Sequence, residues 1–120
     1  MTRLRFTVEG RPVGKGRARV GKRGGHTPAK TRAYEQKVGW AAIAAGAQRA
    51  GLQAPFSIEL KIWYADRRQP DTDNVMKACK DALEGVIWKN DREVTKDSSE
   101  NMGIDRGNPR VEILVKGNVG

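Results

Sequence analysis

A regular alternation of apolar and mostly polar residues marks the middle of the chain, over positions 56–64. Because successive side chains of a β-strand point to opposite faces of the sheet, this two-residue period predicts a strand with one buried face. The same period predicts a first strand over positions 2–9 and a last strand around 111–115, and a weaker extended segment covers about 93–103. The apolar residues of the central segment are Phe56, Ile58, Leu60, Ile62 and Tyr64.

Two further segments have the apolar spacing of helices. The first runs from Thr31, a candidate N-terminal cap, to about Ala50. The second covers about 73–84, and Gly85 is its expected stop. The resulting order βαβαββ predicts an α+β fold, in which a mixed β-sheet carries two helices packed on it. Because 120 residues suit one compact unit, 1–120 is expected to be a single domain.

The positive charge of the chain is concentrated in its first third. Residues 1–37 contain 11 Lys and Arg against two acidic residues, so their excess of nine equals the net charge of +9 for the whole chain. Glycine is frequent within 10–30, which predicts a basic loop suited to the phosphate backbone of nucleic acid. The alternative is a solvated segment that only keeps the protein soluble. The loop cations expected to bind DNA are Lys15, Arg17, Arg19, Lys22, Arg23 and Lys30.

Composition argues against several classes of protein. A single cysteine, Cys79, excludes an internal disulfide framework and a cysteine-based zinc site. The chain has no apolar run of about 18 residues, so no membrane partner is expected, and a cytoplasmic location is predicted. No feature indicates an organic cofactor.

An acidic constellation stands at the start of the second helix. Asp71 and Asp73 are two residues apart just before this helix, where the helix N-terminus favours ionised carboxylates. Lys77 follows Asp73 by one helical turn, and Asp91 follows the helix after a short loop, so the chain is expected to return Asp91 toward the pair. Ionised carboxylates are the hard oxygen ligands that Mg²⁺ or Mn²⁺ requires, which favours metal-assisted hydrolysis of phosphodiesters.

Each of these residues also has a simpler interpretation. Asp before a helix is an ordinary cap that stabilises by about 1 kcal/mol. Lys77 is either a catalytic cation or a structural bridge from Asp73 to Asp81. Arg67 and Arg68, just before the acid pair, either hold the phosphates beside the scissile bond or belong to a solvated turn.

The motifs resemble those of one known family. The run Asp71-x-Asp73-Asn74-x-x-Lys77, followed by Asp81-Ala82-Leu83 and then by Asn90-Asp91-x-x-Val94, is similar to the core of the RusA family of Holliday junction resolvases. The N-terminal Gly10-Arg11-Pro12-Val13-Gly14-Lys15-Gly16-Arg17-Ala18-Arg19 and the later Thr27-Pro28-x-Lys30-Thr31 resemble its phage-type members. One departure is Asn90, where some members carry an acidic residue.

The resemblance implies a homodimeric, Mg²⁺-dependent endonuclease of mixed α/β fold that resolves four-way DNA junctions by paired nicks. Asp71, Asp73 and Asp91 match the catalytic metal-binding acids of the family. Lys77 matches its essential lysine, and Asn74 its adjacent supporting asparagine. A bacterial or phage-encoded origin follows from the same resemblance.

Three competing hypotheses remain at this point. A non-catalytic nucleic-acid-binding protein would use the basic loop and keep the aspartates as caps. A structure-indifferent nuclease or RNase would use the same acids without preferring junctions. A small structural RNA-binding protein would explain the charge but not the acids or Lys77.

Overall fold

The computed structural model describes residues 2–15 and 28–119. Its strands and helices confirm an α+β fold in the expected order, with one addition, because a short third helix follows the first. A 3₁₀ turn, Asp91–Glu93, leads into the third strand. The elements are β1 (Thr2–Glu9), α1 (Ala29–Ala44), α2 (Ala47–Ala50), β2 (Leu52–Tyr64), α3 (Thr72–Leu83), β3 (Val94–Ile104) and β4 (Arg110–Val119).

The four strands form one mixed sheet in the order β1-β4-β2-β3. β4 is antiparallel to both β1 and β2, whereas β3 runs parallel to β2. The parallel pair requires a crossover connection, and α3 provides it between β2 and β3. The edges of the sheet are therefore β1 and β3.

The hydrophobic core lies between one face of this sheet and the two longer helices. α1 and α3 pack against each other, α1 over β1 and α3 over β3. Alternate residues of β1, β2 and β4 are buried, as the two-residue period predicts. Trp88, which follows α3, is 2% exposed and packs on Phe56 with ring centroids 5.6 Å apart. The opposite face of the sheet carries the polar alternates.

The first helix differs from its prediction at both ends. Pro28 is its N-cap, and Thr31 lies inside the helix, where it is buried and its hydroxyl donates a hydrogen bond to the Gly14 carbonyl at 3.2 Å. The prediction that Thr31 caps the helix is therefore wrong, because this hydroxyl is used to hold a distant segment. The helical region is also interrupted at Gly46, whose φ of 97° is left-handed.

The second predicted helix, which is α3 in the structure, begins and ends close to its expected limits of about 73–84. Asp71 is the N-cap, Glu84 is the C-cap, and Gly85 has a left-handed φ of 88°, which explains the stop. The basic loop predicted over 10–30 is described only at its two ends. No helix in the described part of the chain is long and apolar enough to cross a membrane.

Candidate active site and nucleic-acid interface

The end of β2 and the start of α3 hold the acid pair in place. The Tyr64 hydroxyl, at the last residue of β2, donates a hydrogen bond to the Pro70 carbonyl at 2.6 Å. Burial and the nearby Asp71 carboxylate raise the pKa of this hydroxyl. The short connection between β2 and α3 is thus tied to the sheet immediately before Asp71.

Asp71 and Asp73 are both exposed at the N-terminus of α3. Asp71 Oδ1 accepts a hydrogen bond from the Asp73 backbone amide at 3.4 Å, so Asp71 does cap the helix. Within the residues that the structure describes, no hydrogen bond or ion pair engages the Asp73 carboxylate. Capping uses only one oxygen of Asp71. The other Asp71 oxygen and both Asp73 oxygens can therefore still accept hydrogen bonds or bind a metal.

Asp91 lies in a different acidic group, at the other end of α3. Its Oδ1 accepts a hydrogen bond from Trp88 Nε1 at 3.3 Å. Carboxylate oxygens of Asp81, Glu84 and Asp91 all lie within 4.8 Å of one another, and Asp71 and Asp73 are not members of this group. Glu84 follows Asp73 by eleven residues, or about 16 Å along a helix. One chain by itself therefore does not bring Asp91 together with the predicted pair.

Two residues of the acidic group, Asp81 and Glu84, are not among the ligands predicted from the sequence. Asp81 was considered as a partner of Lys77 and as part of the family motif but not as a ligand, and Glu84 was not considered. Their spacing of three residues places them on one helix face, and Gly85 begins the turn toward Asp91. Two acidic residues three positions apart, just before a glycine, were the sequence signal that could have predicted this acidic group.

Lys15 joins the two long helices. Its Nζ lies 2.8 Å from Glu35 of α1 and 2.8 Å from Asp81 of α3, and its backbone amide donates to the Asn74 carbonyl at 2.9 Å. Burial lowers the pKa of Lys15, but the hydrogen bonds and charges of Asp81 and Glu35 outweigh this effect and raise the pKa above that of an ordinary lysine. The ammonium expected to bind DNA is thus held between two carboxylates.

Gly14 lets the N-terminal segment pass closely over the start of α3. A Cβ added at Gly14 would lie 2.8 Å from Pro70 Cβ and 3.1 Å from Asn74 Cβ. These separations are shorter than carbon–carbon contact, so only glycine fits without a shift. Asn74 therefore supports the contact between this segment and the helix that carries the acid pair.

A cationic groove of about 480 Å³ lies beside the acid pair. Arg11 lines this groove and donates two hydrogen bonds to the Asp66 carboxylate, at 3.2 and 2.6 Å. These hydrogen bonds, together with one from the Arg68 backbone amide, lower the pKa of Asp66 to about 2. The lining includes Arg11, Lys15, Lys30, Arg68, Pro70 and Asn74.

Of the other predicted cations, some lie within the described residues and some do not. Arg67 and Lys77 are exposed, and within the described ranges Lys77 forms no ion pair with Asp73 or Asp81. The structural bridge considered for Lys77 is therefore not formed, since Asp81 pairs with Lys15. Four predicted DNA-binding residues lie outside the described residues: Arg17, Arg19, Lys22 and Arg23.

Exposed carboxylates beside a cationic groove suit metal-assisted hydrolysis of phosphodiesters, because the metal needs oxygen ligands and the phosphates need nearby cations. A family model described as Endodeoxyribonuclease RusA matches residues 9–116. The chain therefore belongs to the RusA family of endodeoxyribonucleases, and the resemblance drawn from its motifs is confirmed. All predicted site residues lie within the matched range.

A similarity to one curated protein also extends along the chain. A protein of Bacillus subtilis (strain 168) described as "Uncharacterized protein YqaN" is 28% identical over an alignment 140 positions long. The alignment covers 94% of this chain and 95% of the relative. The two chains are thus similar over nearly their whole lengths.

Proposed function

We propose that this chain is a divalent-metal-dependent endodeoxyribonuclease that resolves four-way DNA junctions by paired nicks. The match of residues 9–116 to an endodeoxyribonuclease family carries the proposal. The exposed acid pair next to a cationic groove supports it. Its substrate would be branched DNA formed in recombination and repair, in the cytoplasm of a bacterium or of a phage-infected bacterium.

The proposed metal ligands are Asp71, Asp73 and Asp91, with Mg²⁺ as the ion and Mn²⁺ as a substitute. Their carboxylate oxygens are the donors that these ions prefer. When bound, such an ion activates water and offsets negative charge at the phosphate. Lys77 is exposed one turn after Asp73, and in this proposal its ammonium would offset charge on the same phosphate.

Asn74 has a supporting role in this proposal. Its carbonyl accepts the Lys15 amide, and its side chain packs where Gly14 approaches. It therefore keeps the start of α3, and with it the acid pair, attached to the basic segment.

A homodimer meets two requirements of this function. Two symmetric cuts need two sites related by a two-fold axis, which matches the approximate symmetry of a four-way junction. Asp91 must also come close to the acid pair if all three residues bind one metal, but in one chain it lies at the opposite end of α3. Two antiparallel α3 helices would place Asp71 and Asp73 of one protomer beside Asp91 of the other. We therefore propose that each metal site is shared between protomers.

The cations of the groove are proposed to hold the DNA backbone beside the acid pair. Lys30, Arg67 and Arg68 are exposed and form no ion pair within the described residues, although the Asp66 carboxylate lies near Arg68 and accepts its backbone amide. Arg17, Arg19, Lys22 and Arg23 would extend this contact, and Lys15 would contribute mainly by fixing the segment. Phosphate contacts of this kind position the duplex without reading its sequence.

One observation favours a second candidate, a DNA-binding protein without nuclease activity. Asp71 caps α3, and a cap needs no metal to explain its presence. This candidate predicts salt-sensitive binding of DNA and no cleavage in either Mg²⁺ or Mn²⁺.

A cleavage assay with matched variants separates the two candidates. The substrates are a synthetic four-way junction and a linear duplex of the same sequence, each with Mg²⁺, with Mn²⁺ or with chelator. We expect metal-dependent cutting of the junction by the wild type and by Asp97→Asn, a control at an exposed acid of β3, but none by Asp73→Asn. Binding without cutting by the wild type would support the second candidate instead.

A further inference from the structure

β3 is the most exposed strand of the sheet. None of its eleven residues is buried, whereas β1, β2 and β4 each bury alternate residues. Within the described part of the chain, β3 pairs with β2 along one edge, and no strand lies along its other edge. The backbone N–H and C=O groups of an open edge can pair with another chain. The outer edge of β3 is therefore a docking surface for a strand.

Two irregularities limit the part of β3 that can form a regular ladder. The register with β2 shifts between Val94 and Lys96 and again between Asn101 and Gly103, so residues 96–101 run without interruption. Bulges and charged side chains often protect an edge from unwanted pairing, but these bulges lie only at the ends of the strand. The six regular residues are Lys-Asp-Ser-Ser-Glu-Asn, and their charges decide which partner this edge accepts.

The charges of the regular segment are complementary to those of a second copy. Lys96, Ser98 and Glu100 point away from the helices, since their partners on β2 are the alternates that are not buried. Lys96 and Glu100 are exposed and form no ion pair within the described residues. When two copies of β3 pair antiparallel about a two-fold axis at Ser98, Lys96 lies directly opposite Glu100 of the partner subunit. The symmetry produces this opposite-charge pair twice, whereas an edge with charges of one sign would repel its own copy.

The same axis brings the two halves of the proposed metal site together. α3 lies over β3, where Lys80 Nζ is 2.9 Å from Asp97 Oδ2. Asp91 precedes the start of β3, whereas Asp71 and Asp73 lie toward its end, because β2 runs parallel to β3 and leads into them. A two-fold axis at the centre of β3 exchanges the two ends of the strand. It therefore sets the two α3 helices antiparallel and places Asp91 of the partner subunit on the side of the acid pair.

We propose that β3 is the dimer interface of this protein. Two copies pair antiparallel through residues 96–101 about an axis at Ser98, and their two sheets join into one continuous sheet. Both helix layers then lie on the same face of the joined sheet, because the axis is perpendicular to it. This interface rests on the proposed function in that it takes the chain to be a homodimer with shared metal sites, and it adds where the two protomers meet.

Sedimentation equilibrium without metal or DNA tests the interface by charge reversal. We expect Lys96→Glu and Glu100→Lys each to raise the dimer dissociation constant about tenfold, because each variant places two like-charged pairs across the axis. The double variant should dimerise like the wild type, since exchanging the two charges restores both opposite-charge pairs. Arg5→Glu, the same reversal at an exposed residue of the other edge strand, β1, is the matched control and should also dimerise like the wild type.

A cysteine at the axis gives a second readout that does not depend on charge. In the paired strands the two Ser98 residues lie opposite each other, with about 4.5–5.5 Å between their Cα atoms, which is within the range of a disulfide. We expect Ser98→Cys to form a disulfide-linked dimer under mild oxidation. Thr7→Cys, at an exposed position of β1, is the control and should form none. Cys79 is buried in both variants.

Three results would overturn this interface. These are a wild type that sediments as a monomer, a double variant that dimerises no better than the single ones, and a Ser98→Cys variant that cross-links no more than Thr7→Cys. Failure of the wild type to cut junctions would contradict the proposed function alone, because both tests measure dimers without metal or DNA. Junction cutting by a dimer that every charge reversal leaves intact would contradict the interface and leave the proposed function standing.

Discussion

Asp71 has two roles in this account, as the N-cap of α3 and as a proposed metal ligand. The cap needs only an oxygen that accepts the Asp73 amide, and Asn provides one as well as Asp does. A metal ligand needs the negative charge, which Asn lacks. The two roles can therefore be separated at this residue by substitutions that differ in which of them they preserve.

We expect Asp71→Asn to keep the stability and the junction binding of the wild type and to abolish cleavage. Its junction binding should be at least as tight as that of the wild type, because a charge that repels phosphate is removed. Asp71→Ala should lose cleavage and, in addition, about 1 kcal/mol of unfolding free energy, since the cap is lost. Urea denaturation and single-turnover cleavage measure the two effects.

Near-normal cleavage by Asp71→Asn would remove Asp71 from the metal site and leave it as a cap. Equal stability of the Asn and Ala variants would show instead that the 3.4 Å cap hydrogen bond contributes little.

Residue types and their spacing predicted the acid pair, which stays a proposal, but they could not assign the contact partners of the other site residues. Lys15 has the sequence context of a DNA-binding loop, yet its ammonium pairs with Glu35 and Asp81. These partners lie on two different helices and meet Lys15 only when both helices pack on the sheet. Nothing local to position 15 reveals such a contact.

At the scale of the elements, the strands were the most predictable. A two-residue period depends only on one buried face, and β1 has the predicted limits of 2–9. The start of α1 was less predictable, because Thr31 has the side chain of a cap but uses it on Gly14. Helix limits depend on such competing hydrogen bonds, which involve residues distant in sequence.

The contact between α1 and α3 leads to a prediction for Gly39. A Cβ at this position would make only ordinary van der Waals contacts, with a closest separation of 3.6 Å. Alanine is favoured over glycine in a helix interior by about 0.5–1 kcal/mol. We therefore expect Gly39→Ala to raise the unfolding free energy by up to about 1 kcal/mol. Gly14→Ala, which would place its Cβ 2.8 Å from Pro70, should lower it.

Urea denaturation of the two alanine variants measures both effects under the same conditions. A loss of stability in Gly39→Ala would mean that the helices pack more closely than the described contact allows. A gain in Gly14→Ala would mean that the N-terminal segment does not pass over the start of α3.

At the scale of the whole molecule, the separation of Asp91 from the acid pair is the feature that most affects the mechanism. If each metal site is shared between two protomers, a mixture of two inactive variants can recover activity. In a heterodimer of Asp71→Asn and Asp91→Asn, one site carries both substitutions and the other carries neither.

We expect the two purified variants to be inactive alone and to nick one strand of a junction when mixed and allowed to exchange subunits. An equal mixture of Asp71→Asn and Asp73→Asn is the matched control and should stay inactive, because both substitutions lie in the same half of the site. No recovery in the first mixture, under conditions where heterodimers form, would contradict shared sites.

Resolution of a four-way junction requires two paired nicks in that junction, and mapping the nicks shows whether this chain makes them. Each of the four strands is end-labelled in turn, Mg²⁺ is added, and the positions and timing of the nicks are compared with those on a linear duplex. We expect two nicks at symmetry-related positions in opposing strands of the junction, with the duplex left intact. Equal cutting of the duplex, or junction binding without any nick in Mg²⁺ or Mn²⁺, would contradict this expectation.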